Sequence, residues 1–167
     1  MKVTIIIGLI AVSMIMWGGC QQMKQEVNID AEKAAIEKVI KSNIGWAATK
    51  DTALLYSTVA HDDNLFWFSP TDRGTVQGFE AFKNMTEGFF MLDDFQAVSY
   101  EVRELVIGVS PSGDAAWWHC RLDDYNTWKG QPANWEDARW TGVLEKRDGN
   151  WVIVQMHFSF PTDKPKE

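Results

Sequence analysis

The chain is short of the residues that staple or coordinate. Its 167 residues include two cysteines, three histidines and five prolines. Two cysteines allow at most one disulfide, so the fold must rest on an apolar core. The histidines do not gather into a metal site. His61-Asp62-Asp63 is the nearest approach, but adjacent residues of a strand or loop point apart and no second cluster of ligands matches it. No metal and no cofactor are expected. The chain also lacks any block of lysine or arginine, and its net charge is −7. An acidic domain without a basic patch is a poor partner for nucleic acid or anionic lipid.

Apolar residues make up 46% of the chain, and nine are tryptophan, enough for one packed domain. The one long apolar run is at the start. Met1-Lys2 is followed by Val3 to Trp17 (VTIIIGLIAVSMIMW) and then by Gly18-Gly19-Cys20. A positive start, an apolar stretch and small residues at the cut make the plan of a secretory signal peptide over 1–19. The run is shorter than the roughly 18–20 residues that span a bilayer comfortably. Small residues before a cysteine also resemble a bacterial lipobox, which marks Cys20 for lipidation. Trp17 departs from that pattern, which expects a branched aliphatic residue three places before the cysteine. Gln21 rather than aspartate follows Cys20, which by resemblance favours a periplasm-facing outer-membrane lipoprotein. Residues 20–28 then read as a tether, 29–161 as the domain and 162–167 as a disordered tail. Contact with the membrane is expected only through the N-terminal lipid. Removing 1–19 removes Lys2 and no acid, so the remaining chain is more acidic still. With Cys20 lipidated, Cys120 is left as a lone thiol, expected buried and inert in an apolar strand.

From Ile29 a helical period takes over, with Ile36, Val39, Ile40 and Ala47 on one stripe and Asp30 as the expected cap. Gly45 and Thr49-Lys50-Asp51 end it, and a second short helix fits Thr52 to Val59. Asn64 to Pro70 (NLFWFSP) reads as a short strand, 71–78 as a turn and another strand, and Phe79 to Phe90 as a helix. The rest is strand: Phe95 to Val109, Ala115 to Trp128, Trp135 to Lys146 and Asn150 to Phe160. Apolar alternation changes phase near Arg103-Glu104, which predicts a β-bulge. Helices first and a meander after them give an α+β fold, with the helices on one face of a curved antiparallel sheet. Asn84-Met85-Thr86 matches a glycosylation sequon, read here as coincidence.

The words DNLFWFSP, GTVQGFEAF, SGDAAWWHCRL and ARWTGVLEKRDGNWVIVQMHFS, in this order, resemble a SnoaL-like domain of the nuclear transport factor 2 (NTF2) superfamily, which includes ketosteroid isomerase. The last word is also similar to the end of the association domain of calcium/calmodulin-dependent protein kinase type II. The resemblance covers about Ile29 to Pro161. It implies a cone-shaped fold, N-terminal helices packed in a strongly curved antiparallel sheet, with a pocket between them. It implies a homodimer as well. It does not imply one activity, because the fold hosts isomerases, hydrolases, dehydratases and scaffolds.

Two parities decide which residues face that pocket. With a three-residue loop Arg147-Asp148-Gly149, Lys146 pairs with Asn150 and Trp140 with Met156; a two-residue Asp-Gly turn pairs Trp140 with His157 instead. The three-residue loop gathers Gly142, Leu144, Val152, Val154, Met156 and Phe158 on one apolar face, and is preferred for that reason. It sends His157 to the outer face. In the kinase domain arginines line the pocket; matched strand to strand, one falls on Arg121, two on Gly142 and Phe158, and a pocket histidine falls on Phe82. Arg121 in the pocket brings His119 and Asp123 with it, and Trp117 beside them. His119 and Asp123 are then the candidate acid/base residues, with Arg121 steadying negative charge. The alternative reading of this face is solvent or a dimer partner. The candidate ligand-binding residues are Arg121, Trp117, Phe82, Trp140, Met156 and Phe158. The function expected is binding of a small, largely apolar organic molecule, with an isomerase, cyclase or dehydratase and an oligomerising scaffold as alternatives.

Overall fold

The computed structural model describes residues Val27 to Thr162; the proposed signal peptide, Cys20 and most of the tail lie outside them. Helix α1 (Ile29–Gly45) begins at Asn28, whose side-chain oxygen accepts from the Ala31 N–H at 3.1 Å. Asn28 is therefore the cap. Asp30 sits in the first turn with Glu32, where negative charge suits the helix dipole. The expected stripe is present: Ile36 and Ile40 are fully buried. A 3₁₀ turn (Trp46–Ala48) and a short helix α2 (Thr52–Ser57) follow, the latter capped by Asp51.

Two short strands, β1 (Phe66–Phe68) and β2 (Val76–Gln77), lead into α3 (Phe79–Met85), which runs on as a single π turn over Thr86–Phe90. The meander then comprises β3 (Phe95–Val109), β4 (Ala115–Trp128), β6 (Trp135–Arg147) and β7 (Asn150–Ser159), with the two-residue β5 (Gln131–Pro132) beside β4. The sheet order is β2-β1-β7-β6-β4-β3. It is not wholly antiparallel, because β1 runs parallel to β7. A parallel pair needs a long crossover. Here the whole stretch from β2 through β6 serves as one.

The predicted bulge in β3 is where the phase change put it. Pairing with β4 shifts between Arg103 and Val106, and Glu104 adopts φ 54°. The β6–β7 hairpin differs from expectation. Arg147 pairs with Asn150 across a two-residue turn in which Asp148 and Gly149 both have positive φ. That combination suits the right-handed twist of a hairpin. It turns Trp151 and Ile153 inward instead of Val152. Glu32 helps to hold this choice: its carboxylate accepts from Trp151 Nε1 and from Lys146 Nζ, both at 2.7 Å. A register shift between Val143 and Leu144 then restores the other parity. Met156 and Phe158 return inward, as anticipated, and Trp140 pairs with Phe158.

Helices and the inner sheet face share one core around Trp118, Trp140, Leu144 and Ile153. Trp118 and Trp140 meet edge to face with centroids 5.6 Å apart. Gly142 permits this. A Cβ there would run into the Trp118 ring and the backbone oxygen of Gln155. Replacement Gly142→Ala is expected to destabilise the fold by about 2 kcal/mol through overpacking. Urea unfolding should show a lower midpoint with an unchanged slope.

Candidate functional site

The cone holds a cavity of about 490 Å³ between the helices and the inner face of the sheet. From the helical side come Trp46, Phe82, Phe89 and Phe90; from the sheet come Phe95, Trp135, Met156 and Phe158. Trp67 of β1 stacks on Phe90 with centroids 5.9 Å apart and planes 13° apart. Such a wall is rigid, and the aromatic groups bring large apolar area at little cost in side-chain freedom.

Few polar groups reach this space. Two of them are occupied locally: Asn43 donates to Thr58 Oγ1 at 2.8 Å, and Thr86 donates to the Phe82 carbonyl at 2.9 Å. On the sheet side, Asp124 and Asn126 line the cavity. Asp124 is the sole acidic residue in the lining. Burial pushes its carboxyl above the ordinary carboxylate range, and the Asn126 side chain opposes the shift. On the rim, Ser69, Thr71 and Arg73 belong to the loop between β1 and β2.

The sequence-derived candidates divide between two faces. Phe82, Met156 and Phe158 line the cavity. Trp140 is fully buried one layer behind, stacked on Phe158 at 5.4 Å. Trp117, His119, Arg121 and Asp123 belong to the opposite face of β4, outside the cavity lining. Trp117 lies across Gly108 and is 53% exposed, and His119 is exposed. The placement of Arg121 in the pocket, carried over strand to strand, is thus corrected. The inner face of β4 is Trp118, Cys120, Leu122, Asp124 and Asn126. Ala116, Trp118, Cys120 and Leu122 were already legible as a packing face; carrying that alternation on two and four residues reaches Asp124 and Asn126.

Asp123 has a structural task. Pairing of β4 with β6 breaks between Leu122 and Asp124, and Asp137 opposite adopts φ 54°. The Asp123 carboxylate accepts from the Asp137 N–H at 2.6 Å and from Arg103 Nε at 2.7 Å. These bonds hold its carboxyl below the usual range, the Arg103 bond foremost. Arg103 pairs across with Arg121, and Arg121 with Arg139, and the Arg103 and Arg121 guanidinium groups pair with Asp123 and Asp137. His157 is on the outer face too, with its ring 5.1 Å from Phe68.

His61 and Asp62 go separate ways. His61 stacks on Phe79 and bonds the Tyr56 carbonyl, whereas Asp62 accepts from Arg147. Among the described residues no group of three His, Cys, Asp or Glu could hold a metal ion. Cys120 is buried, and that burial pushes its thiol up to about 12. None of the helices among the described residues is long and apolar enough to cross a membrane.

A family model described as a SnoaL-like domain matches residues 36–163. The chain belongs to the SnoaL-like domain family. The solved structures similar to it carry the NTF2-like fold. One is an NTF2-like superfamily protein from Salmonella enterica serovar Typhimurium, with TM-score 0.71 and 20% identity over 82% of this chain and 96% of that one. A candidate ketosteroid isomerase from Shewanella frigidimarina has TM-score 0.59 and 20% identity, covering 77% of this chain and 97% of that one. A hexachlorocyclohexane dehydrochlorinase from Novosphingobium barchaimii has TM-score 0.60 and 19% identity, covering 78% and 86%. Identities this low carry the fold alone. No curated protein matches the sequence. In this SnoaL-like domain, the α+β cone is the expected one, apart from its parallel β1–β7 pair.

Asp123 and Asp124 are neighbours with opposite pH behaviour. Asp124 has a raised folded-state pKa, so its contribution is complete below about 3.9 and is lost as pH rises. Asp123 has a lowered one, so its contribution is present above about 3.9 and is lost as pH falls. Asp124→Asn should therefore raise Tm at pH 7, with the gain shrinking toward pH 4. Asp123→Ala should cost about 2 kcal/mol at pH 7 and less in acid. Thermal melts of both variants from pH 3.5 to 7.5 check the two signs.

Proposed function

We propose that this SnoaL-like domain binds a small, largely apolar organic molecule in its cone. The carrying observation is the aromatic-walled cavity of about 490 Å³ with one acidic side chain in its lining. That volume and composition match small-molecule sites, which are mostly apolar with a few placed polar groups. Asp124 and Asn126 supply those groups from β4.

A second reading is favoured by Asp124 itself. A carboxyl in apolar surroundings with a raised pKa is suited to act as a general acid or base. In this reading the domain is an enzyme of the isomerase, cyclase or dehydratase type. Asp124, rather than His119 or Asp123, takes a proton from a carbon acid and returns it elsewhere, and Asn126 orients the carboxyl. Dehydrochlorinase and candidate isomerase among the similar folds agree with that class of chemistry without assigning it. Turnover lost in Asp124→Asn with ligand binding kept is the result that separates catalysis from binding alone.

The rest of the proposal concerns place and partners. The apolar N-terminus ending in Gly18-Gly19-Cys20 supports export, with Cys20 lipidated and the domain held at the outer membrane. The mass of the mature N-terminus decides that point. A homodimer through the outer sheet face is supported by exposed apolar groups there, Val106 and Trp117 at 53% and Val143 at 38%. A monomer at micromolar concentration by light scattering contradicts it.

The binding reading is checked with N-phenyl-1-naphthylamine, a neutral bicyclic aromatic probe that brightens in apolar surroundings. Saturable brightening at micromolar probe is expected from the wild-type domain. Ala47→Trp, which puts an indole into the cavity lining, should abolish it while circular dichroism stays unchanged. No saturable signal from the wild type sinks the reading.

A further inference from the structure

One segment brings several polar groups to the cavity wall. Trp67, Ser69, Thr71, Arg73 and Gly74 all line the cavity, and all belong to β1 and the loop after it. The Trp67 ring lines the cavity, but its indole N–H is buried away from that space and is not a donor a ligand can reach. Arg73 is exposed at the rim and forms no ion pair or hydrogen bond among the described residues. Its sequence neighbour Asp72 does not pair with it. The loop that carries Arg73 is closely folded. Thr75 Oγ1 accepts from the Ser69 N–H, and a Cβ on Gly74 would come within 2.6 Å of Ser69 Oγ. Its guanidinium is therefore presented from a compact turn rather than from a long mobile loop.

The opposite side has a different character. Asp124 is on β4, which β7 and β6 separate from β1 in the sheet. Between the two sides stand the aromatic walls.

We infer that the ligand is an aromatic acid, with its ring body between the aromatic walls and its carboxylate or sulfonate on Arg73 and the loop that carries it. The inference rests on the binding reading above and adds the class of ligand. A guanidinium gives an anionic oxygen a charge-assisted bond stronger than a neutral one. The surrounding chain is acidic, so Arg73 selects by local contact rather than by long-range attraction.

Two probes with one body test this. 8-Anilinonaphthalene-1-sulfonate and N-phenyl-1-naphthylamine share the anilinonaphthalene frame and differ by the sulfonate. Fluorescence titrations are run on the wild-type domain, Arg73→Ala and Arg73→Lys. Arg73 is exposed, so its removal should leave the fold intact. Arg73→Ala is expected to weaken the sulfonate probe about tenfold and the neutral probe by less than about twofold. Arg73→Lys should recover part of the loss, because it restores charge but not the planar fork. Equal weakening of both probes by Arg73→Ala, or no weakening of the sulfonate probe, overturns the inference and leaves the binding reading standing. Failure of the neutral probe to bind the wild type removes the binding reading, and this inference with it.

Discussion

In a β-strand successive side chains point to opposite faces, and in β4 this alternation sends two adjacent carboxyl groups into opposite surroundings. Asp123 is drawn to the outer face by Arg103 and by the Asp137 N–H. Asp124 is left on the cavity side, among aromatic groups. The break in β4–β6 pairing between Leu122 and Asp124 depends on the first of these contacts. The site depends on the second. Were β4 to slip by one residue, the whole inner set from Trp118 to Asn126 would turn outward.

Much of this fold was legible in the sequence. The α1 stripe, the bulge near Arg103-Glu104 and the meander follow from apolar period and phase. The resemblance carried by ARWTGVLEKRDGNWVIVQMHFS agrees with the family to which the chain belongs. The last hairpin shows where local pattern runs out. Arg-Asp-Gly is compatible with either loop length, and the choice is made by distant contacts. Glu32 of α1 accepts from Trp151 and Lys146, a link across more than a hundred residues that no local window contains. The later register shift is equally non-local. It reverses the effect of the turn, so Met156 and Phe158 occupy the anticipated face although Trp151 and Ile153 do not.

The candidate site was less legible. Placing Arg121 in the pocket by resemblance to the kinase association domain set the wrong parity for His119 and Asp123. The alternation Ala116, Trp118, Cys120, Leu122 held the right one. A carboxylate that continues an apolar face is the informative exception, since a buried polar group demands a reason. Trp67 and Arg73 had no comparable signal. They come together on one wall only because β1 runs parallel to β7 and brings its following loop over the cone.

The account turns on which of the two neighbouring carboxyl groups lies in the apolar cavity. Carbon-13 NMR titration of the aspartate side chains measures this directly, with Asp123→Asn and Asp124→Asn used to assign the two signals. The account predicts that Asp124 titrates above, and Asp123 below, the usual aspartate value of about 3.9. The reverse order, or an Asp124 that titrates like a solvated side chain, would contradict it.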